Sequence, residues 1–361
     1  MNETVKVHYP SINGLRAISI MMVVFHHFDL KDHPWIDRKV YHWYNPIFSF
    51  LEDGQLGVNV FFLLSGFLIT VLLLREEAST KAISLKKFYI RRVLRIFPAY
   101  YFMLLVYCIL QLIGVIYLSH TSWLTSLTFT KYFCVEEDWL TAHAWSLSIE
   151  EHFYLIWPLI FICGSRIRKA FVVFLIVFVP VVRVYLYHDP VEWITELSIF
   201  TRIDAIATGC LFALYKDEII EMIRSHWVKL FYISAVSLFI LHYITPHVDK
   251  GIFRFIFVPL GCTHGTIANF LIGVIMMYSV FGPQTIWFRF LNLRAMHYIG
   301  MLSYSIYLWQ QIFTWNTSHW LNQFPQNLAG MLGMALFSYY VIEKYFLKLK
   351  SRFELSLKNS K

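Results

Sequence analysis

The sequence predicts an all-α, polytopic membrane helix bundle of about ten transmembrane helices with both termini cytoplasmic. Three observations carry this expectation. Of 361 residues, 58% are hydrophobic and 19% aromatic while only 15% are charged, a balance far more apolar than a soluble domain of this size needs. Apolar runs long enough to cross a bilayer recur along the whole chain. Of the 31 Lys and Arg residues, 22 fall in the amino terminus, the carboxyl tail and the connections 75–95, 165–169, 216–229 and 282–295, against five in the alternate connections. That asymmetry places both ends on the cytoplasmic side. The net charge of +8 then reflects topology and anionic lipid headgroups, and with no soluble basic domain the chain is not expected to bind nucleic acid. One transmembrane domain is expected over residues 1–350, followed by a short Lys/Ser-rich tail over 351–361.

The first run, 12–30, follows a polar stretch and has no small-residue cleavage site behind it, so it reads as a start-transfer helix rather than a cleavable signal. The second, 56–74, holds Gly57, Ser65 and Gly66, small residues that let helix backbones approach closely. The third, 97–118, is preceded by Arg91, Arg92 and Arg95. The fourth, 146–164, opens on Trp145 and carries Glu150 and Glu151. Plain apolar character defines 170–186 and 228–245, whereas 196–215 between them contains Arg202 and Asp204. The eighth, 253–281, is long, and Pro259, Gly261 and Gly265 point to a kink or a re-entrant segment. The runs 296–316 and 326–347 complete the bundle. Five scattered cysteines give neither a disulfide framework nor metal-ligand spacing, so no metal is expected. Asn316-Thr317-Ser318 matches a glycosylation sequon of a kind that arises by chance.

The polar residues inside these runs carry the chemistry, because a charge in a membrane span is costly and points into the bundle. Arg16 and His27 are eleven positions apart, so they lie within ~20° of one another around a helix and ~16 Å apart along it. They share one face, from which His26 is turned away. Arg91 and Arg95 stack at i, i+4 with Arg92 beside them, a forked cationic cluster suited either to positive-inside anchoring or to a polyphosphate. Glu150 enters its span at a depth where His27 is expected to meet it. A carboxylate on one imidazole nitrogen would orient the ring as a general base for a hydroxyl; the plainer alternative is that Glu150 solvates a helix end. Arg202 and Asp204, two residues apart, do not face each other, so each is expected to pair with another helix, as a brace or as cavity lining.

Taken in order, Asn13-Gly14-Leu15-Arg16 with His27, Gly57 to Ile69, Arg91 to Tyr100, Trp145 to Tyr154, Arg202 to Gly209, Ile299 to Trp309 and the closing Val341-Ile342-Glu343 resemble the acyltransferase 3 family of integral membrane O-acyltransferases. The resemblance covers nearly the whole chain. It implies an acyl-CoA donor, usually acetyl-CoA, bound from the cytoplasm, no permanently bound cofactor, and transfer to a carbohydrate hydroxyl at the outer face of a bacterial cytoplasmic membrane. His27 matches the family's catalytic histidine, with Glu150 as its partner and Arg16, Arg91, Arg92 and Arg95 on the donor; Trp145, Arg202, Asp204, Tyr307 and Gln310 are expected to bind substrate or support the site. Acceptors in reach of this chemistry include O-antigen, exopolysaccharide and peptidoglycan-related sugars. The chain departs from the family at Asn13 and Asn59, commonly Asp, at Gln310, often His, and at Tyr345, often Pro. Gln310 cannot take a proton but can bond a sugar hydroxyl, so altered acceptor handling is expected. The stand-alone form, without a fused esterase-like domain, is also expected. Two mechanisms stay open, direct attack of the hydroxyl on the thioester and a covalent acyl-histidine intermediate. A transporter or flippase for lipid-linked sugars is the alternative, with the same residues as a proton relay.

Overall fold

A computed structural model describes residues 9–28, 39–40, 44–134, 138–191, 194–244, 254–315 and 319–349, the side chains of 254–264 excepted. The sequon at 316–318 and the tail 351–361 lie outside the described residues. Among those described there is no strand, and each apolar run falls on a helix: α1 (Ile12–Phe28), α2 (Gly54–Thr80), α3 (Leu85–Leu112), α4 (Ala144–Ile162), α5 (Ser165–His188), α6 (Ile199–Leu214), α7 (Trp227–Ile244), α8 (Arg254–Phe281), α9 (Arg294–Phe313) and α10 (Gln326–Phe337). Four of the described helices are long and apolar enough to cross a membrane: α2, α3, α5 and the stretch Lys216–Ile244 that ends in α7. α1 and α6 are shorter, at 17 and 16 residues. Three of these helices start where a short polar side chain takes up a free backbone N–H group. Asp53 accepts from the amide of Leu56 at the head of α2, Ser84 from Lys87 before α3, and Ser198 from Phe200 before α6.

α2 is the central helix. Of its apolar window 72% is buried, against 22% in α5, whose remaining surface faces outward. α2 packs on α6 and α1, α1 on α9, and α7 on α8. Gly66 and Gly209 explain the closest of these crossings, since a Cβ on Gly66 would strike the carbonyl of Ile206 and one on Gly209 the carbonyl of Leu63. The two backbones touch through their glycines, as small-residue packing between spans requires. Gly66→Val should therefore destabilise the bundle by about 1–3 kcal/mol or more, the cost of overpacking a filled interior. A lowered unfolding temperature of the detergent-purified protein is the expected reading, with an unchanged one counting against this contact.

Two details differ from expectation. The run 253–281 is not re-entrant, because α8 continues as one helix from Arg254 to Phe281, with Pro259, which has no N–H to give to the helix ladder, inside it. Gly265 instead gives room to a guanidinium, Arg183 Nη1 lying 3.0 Å from where its Cβ would be. α10 does not end as a regular helix either. It widens into a π-turn over Ser338–Glu343, which brings Glu343 against the hydroxyl of Ser305 on α9; such wide turns often re-aim a functional side chain.

Candidate active site

His27 occupies the last turn of α1, and its surroundings come from three other segments. Its Nδ1 lies 3.3 Å from Oε1 of Gln310 on α9. With the amide in this orientation, Nδ1–H donates to the oxygen and Nε2 keeps its lone pair. Trp139, in the short helix Trp139–Ala142, presents its ring edge-on to the imidazole at 5.4 Å. Its indole N–H donates to the Gln311 carbonyl at 2.9 Å, and the Gln311 amide returns a bond to the Trp139 carbonyl. His143, at the head of α4, is within electrostatic reach of His27. It is 3% exposed, and its ring has no side-chain partner among the described residues and only the Leu140 carbonyl, outside good hydrogen-bonding geometry, beside it; Nε2 of Gln310 is likewise buried and unpaired. Buried polar atoms are normally satisfied, so these groups mark a chamber arranged for something polar. His26 is turned away, against Gly54 and the Glu52 carbonyl.

The segment carrying Trp139 is pinned by a buried ion pair. Lys131, with no exposed surface, holds Asp138 at 2.6 Å, and Ser122 and Thr141 donate to the same carboxylate at 2.5 and 2.7 Å. Burial acts to raise the Asp138 carboxyl, but the bonds from Lys131, Ser122 and Thr141 with the Lys131 charge outweigh it and hold it below its ordinary value. A carboxyl more acidic folded than unfolded stabilises above the unfolded value of about 3.9, and that contribution is lost as pH falls through the lower folded value. Thermal unfolding should therefore steepen in pH dependence below about pH 4 in the wild type and less so in Asp138→Asn. That variant should also be about 3–5 kcal/mol less stable, since it strands a buried lysine. Equal unfolding curves for the two proteins would refute the assignment.

About 16 Å along α1 from His27, Arg16 belongs to a second polar group in the middle of the bundle, within electrostatic reach of Arg95, Glu343, Glu150 and Tyr154. Arg92 shares the inward face of α3 with buried Phe88, Ile96 and Ala99, and its guanidinium lies 4.5 Å over the ring of Tyr154. Arg16, Arg92, Arg95, Ser65 and Glu150 are only half-buried although helices surround them. They line space rather than packed core. Like charges on Arg16 and Arg95 are offset by Glu150 and Glu343, the usual condition for charge at this depth.

The structure does not bring Glu150 to His27. Glu150 lies seven residues, or ~10 Å of helix, beyond His143, and it accepts from Ser65 at 2.8 Å and Tyr154 at 3.2 Å. The place expected for a carboxylate is taken by Gln310. Nor do the three arginines act as one cluster at a mouth: Arg91 is paired with Glu76 at 2.6 Å, while Arg92 and Arg95 turn inward. Trp145 is a core residue set edge-on to Phe62. The hydroxyl of Tyr307 donates to the His143 carbonyl at 2.8 Å and meets Ser146 Oγ at 2.6 Å, holding α9 to α4. Asp204, fully buried, pairs with Arg183 at 2.9 Å and accepts from Thr266 at 2.5 Å, linking α5, α6 and α8. Arg202 is bonded to Gln55 and to the Glu196 carbonyl, away from both the His27 and the Arg16 contacts. Glu343 and His143 are not among the site residues the sequence predicts; the signal for Glu343 is a lone carboxylate in an apolar run, and for His143 a histidine just ahead of a span.

A family model for the acyltransferase domain matches residues 9–343, and the chain belongs to the acyltransferase 3 family. It is similar to the peptidoglycan O-acetyltransferase OatA of Listeria monocytogenes, 27% identical over 332 residues that make up 84% of this chain and 49% of the relative. It is also similar to the O-acetyltransferase OatA of Staphylococcus aureus, 27% identical over 336 residues, 84% of this chain and 50% of the relative. A putative peptidoglycan O-acetyltransferase of Bacillus subtilis, YrhL, is 24% identical over 84% of this chain and 48% of its own length. The chain thus spans about half the length of the curated relatives it matches. No solved structure matches.

Proposed function

We propose that this protein is a membrane O-acyltransferase that moves an acyl group, most simply acetyl, from acyl-CoA on the cytoplasmic side to a hydroxyl of a cell-envelope carbohydrate on the other. The observation that carries this reading is the single line from Arg16 and Arg95 to His27, polar at both ends and ~16 Å long. That is about half the hydrocarbon thickness of a bilayer, and about the reach of the flexible arm that joins the phosphates of CoA to its thioester. In this reading the His27 end faces outward and the Arg91 end the cytoplasm. Arg92, Arg95 and Arg16 line the donor's path. The relatives named for peptidoglycan O-acetylation support a glycan acceptor.

The chemistry follows from the His27 chamber. Gln310 Oε1 takes the Nδ1–H, so Nε2 is free to accept the proton of an acceptor hydroxyl. The hydroxyl oxygen attacks the thioester carbonyl, and the Nε2 amide of Gln310 is placed to donate to the oxyanion that forms. Collapse breaks the C–S bond, and the departing thiolate takes the proton from His27. No charge is left on the protein.

Acetyl-CoA titrated calorimetrically into the detergent-purified chain tests the donor half. Wild type and His27→Ala should bind with similar affinity, while Arg95→Ala should lose at least about tenfold, since it removes a charged partner worth ~1.5–3 kcal/mol. Absence of binding by a folded, monodisperse wild type would overturn the acyltransferase reading and favour transport of lipid-linked sugars.

A further inference from the structure

A polar cavity lies beside the head of α2, between it and α6, α7 and α8. Gly54 meets His26 of α1 on one side, and neighbouring Asp53 meets His242 of α7 on the other, Oδ2 to Nδ1 at 2.9 Å. Beyond that pair is a space of about 230 Å³ between α2, α6, α7 and α8. Its polar wall consists of Asp53, Gln55, Asn59, Arg202 and His242, and its apolar wall includes Leu238, Leu241 and Ala268. Its lining shares no residue with the surroundings of His27 or with the Arg16 cluster.

Its chemistry is that of a site for an uncharged, hydroxyl-rich ligand. Asn59 is 6% exposed yet its amide bonds to none of the described residues while lining the cavity, which leaves a donor and an acceptor aimed into the space. Arg202 spends Nε on the Glu196 carbonyl and one Nη2 hydrogen on Gln55 Oε1, so three of its five N–H groups remain. It makes no ion pair among the described residues. Charge does not favour an anion, because the neighbouring cation Arg183 is paired with Asp204, and Glu196 and Asp53 lie within electrostatic reach of Arg202 and offset it. The Asp53 carboxylate is itself satisfied by the Leu56 amide and by His242. Leu238, Leu241 and Ala268 offer a flat apolar surface for the C–H face of a ring. At this volume the cavity is smaller than the ~300–1,000 Å³ pockets that hold drug-sized ligands, so it takes one sugar ring and not two.

We infer that this cavity is a subsite for one neutral sugar residue of the glycan acceptor, an inference that rests on the acyltransferase reading for the identity of its ligand. The residue held here would be a neighbour of the one that presents its hydroxyl to His27, so the two sites would grip the acceptor chain across the head of α2. Hydroxyls bond to the Asn59 amide and to the free N–H groups of Arg202.

Saturation-transfer NMR on the detergent-purified full chain, with N-acetylglucosamine as the probe, tests the site without requiring turnover. Wild type and His27→Ala should transfer saturation to the ring protons. Asn59→Leu and the cavity-filling Leu241→Trp should lose at least about tenfold in affinity, with Gln55→Ala, at an exposed position, as a milder third variant that does not disturb the core. Inorganic phosphate and glucuronate should not compete. Undiminished transfer in all three folded variants, no transfer to the wild type, or displacement of the sugar by phosphate would each overturn the proposal. Acetyl transfer measured on the same preparations separates the two claims: sugar binding without transfer refutes the catalytic reading and leaves a sugar site, whereas transfer without sugar binding refutes the cavity alone.

Discussion

Replacing His27 by Ala should lower acetyl transfer from acetyl-CoA to a soluble glycan oligomer by at least ~10²–10⁴-fold, the contribution of a positioned general base. The loss should fall on kcat, leaving the apparent affinity for acetyl-CoA close to wild type, because the imidazole lies ~16 Å along α1 from Arg16, against Gln310, Trp139, His26 and the Val23 carbonyl. An interaction made only in the transition state lowers kcat and kcat/KM together. His27→Gln offers a sharper version, since it preserves a polar side chain of similar reach that cannot take up a proton at neutral pH. Activity within a few-fold of wild type in either variant, with the protein folded by size-exclusion, would remove His27 from the reaction.

Much of the fold was legible because a membrane span writes itself as an apolar run of fixed length. The shared face of Arg16 and His27 was legible for a similar reason, since eleven residues are close to a whole number of helical turns. What periodicity does not contain is depth and partner. The sequence sets Glu150 opposite His27 because both sit toward the same ends of their spans, yet α4 begins near His143, and the seven residues between carry the carboxylate down to Ser65 and Tyr154. Gln310 and Gly265 show the same limit. Each has a role only because a residue far away in sequence, His27 or Arg183, is brought against it. The charge-offsetting Glu343 depended on a π-turn, for which the apolar pattern of the last run gives no sign. Arg91, Arg92 and Arg95 read as one fork on a helical wheel, but Glu76 takes the first into a half-buried ion pair with α2 while the other two face the Tyr154 and Arg16 groups.

Gln310→Leu should reduce kcat about a hundredfold, or ~2.7 kcal/mol of transition-state stabilisation, while leaving acetyl-CoA binding unchanged. The side chain has no exposed surface, and it does two things that leucine of similar size cannot. Its Oε1 accepts from Nδ1 of His27, which fixes the tautomer that leaves Nε2 as the base; an imidazole without that acceptor divides its population between tautomers and loses its orientation. Its Nε2, buried and without a partner, is lost as a donor to the oxyanion. Gln310→Glu separates the two functions, because a carboxylate still accepts from Nδ1 but offers no amide donor. Partial recovery of kcat in Gln310→Glu relative to Gln310→Leu identifies Gln310 as a positioning residue acting through His27. A structural role alone predicts the reverse, since burying a carboxylate costs more than burying leucine, so the Glu variant would be both less stable and less active than the Leu variant. Equal kcat in all three proteins would show that the 3.3 Å contact between Gln310 and His27 is packing and that the base is oriented by another group.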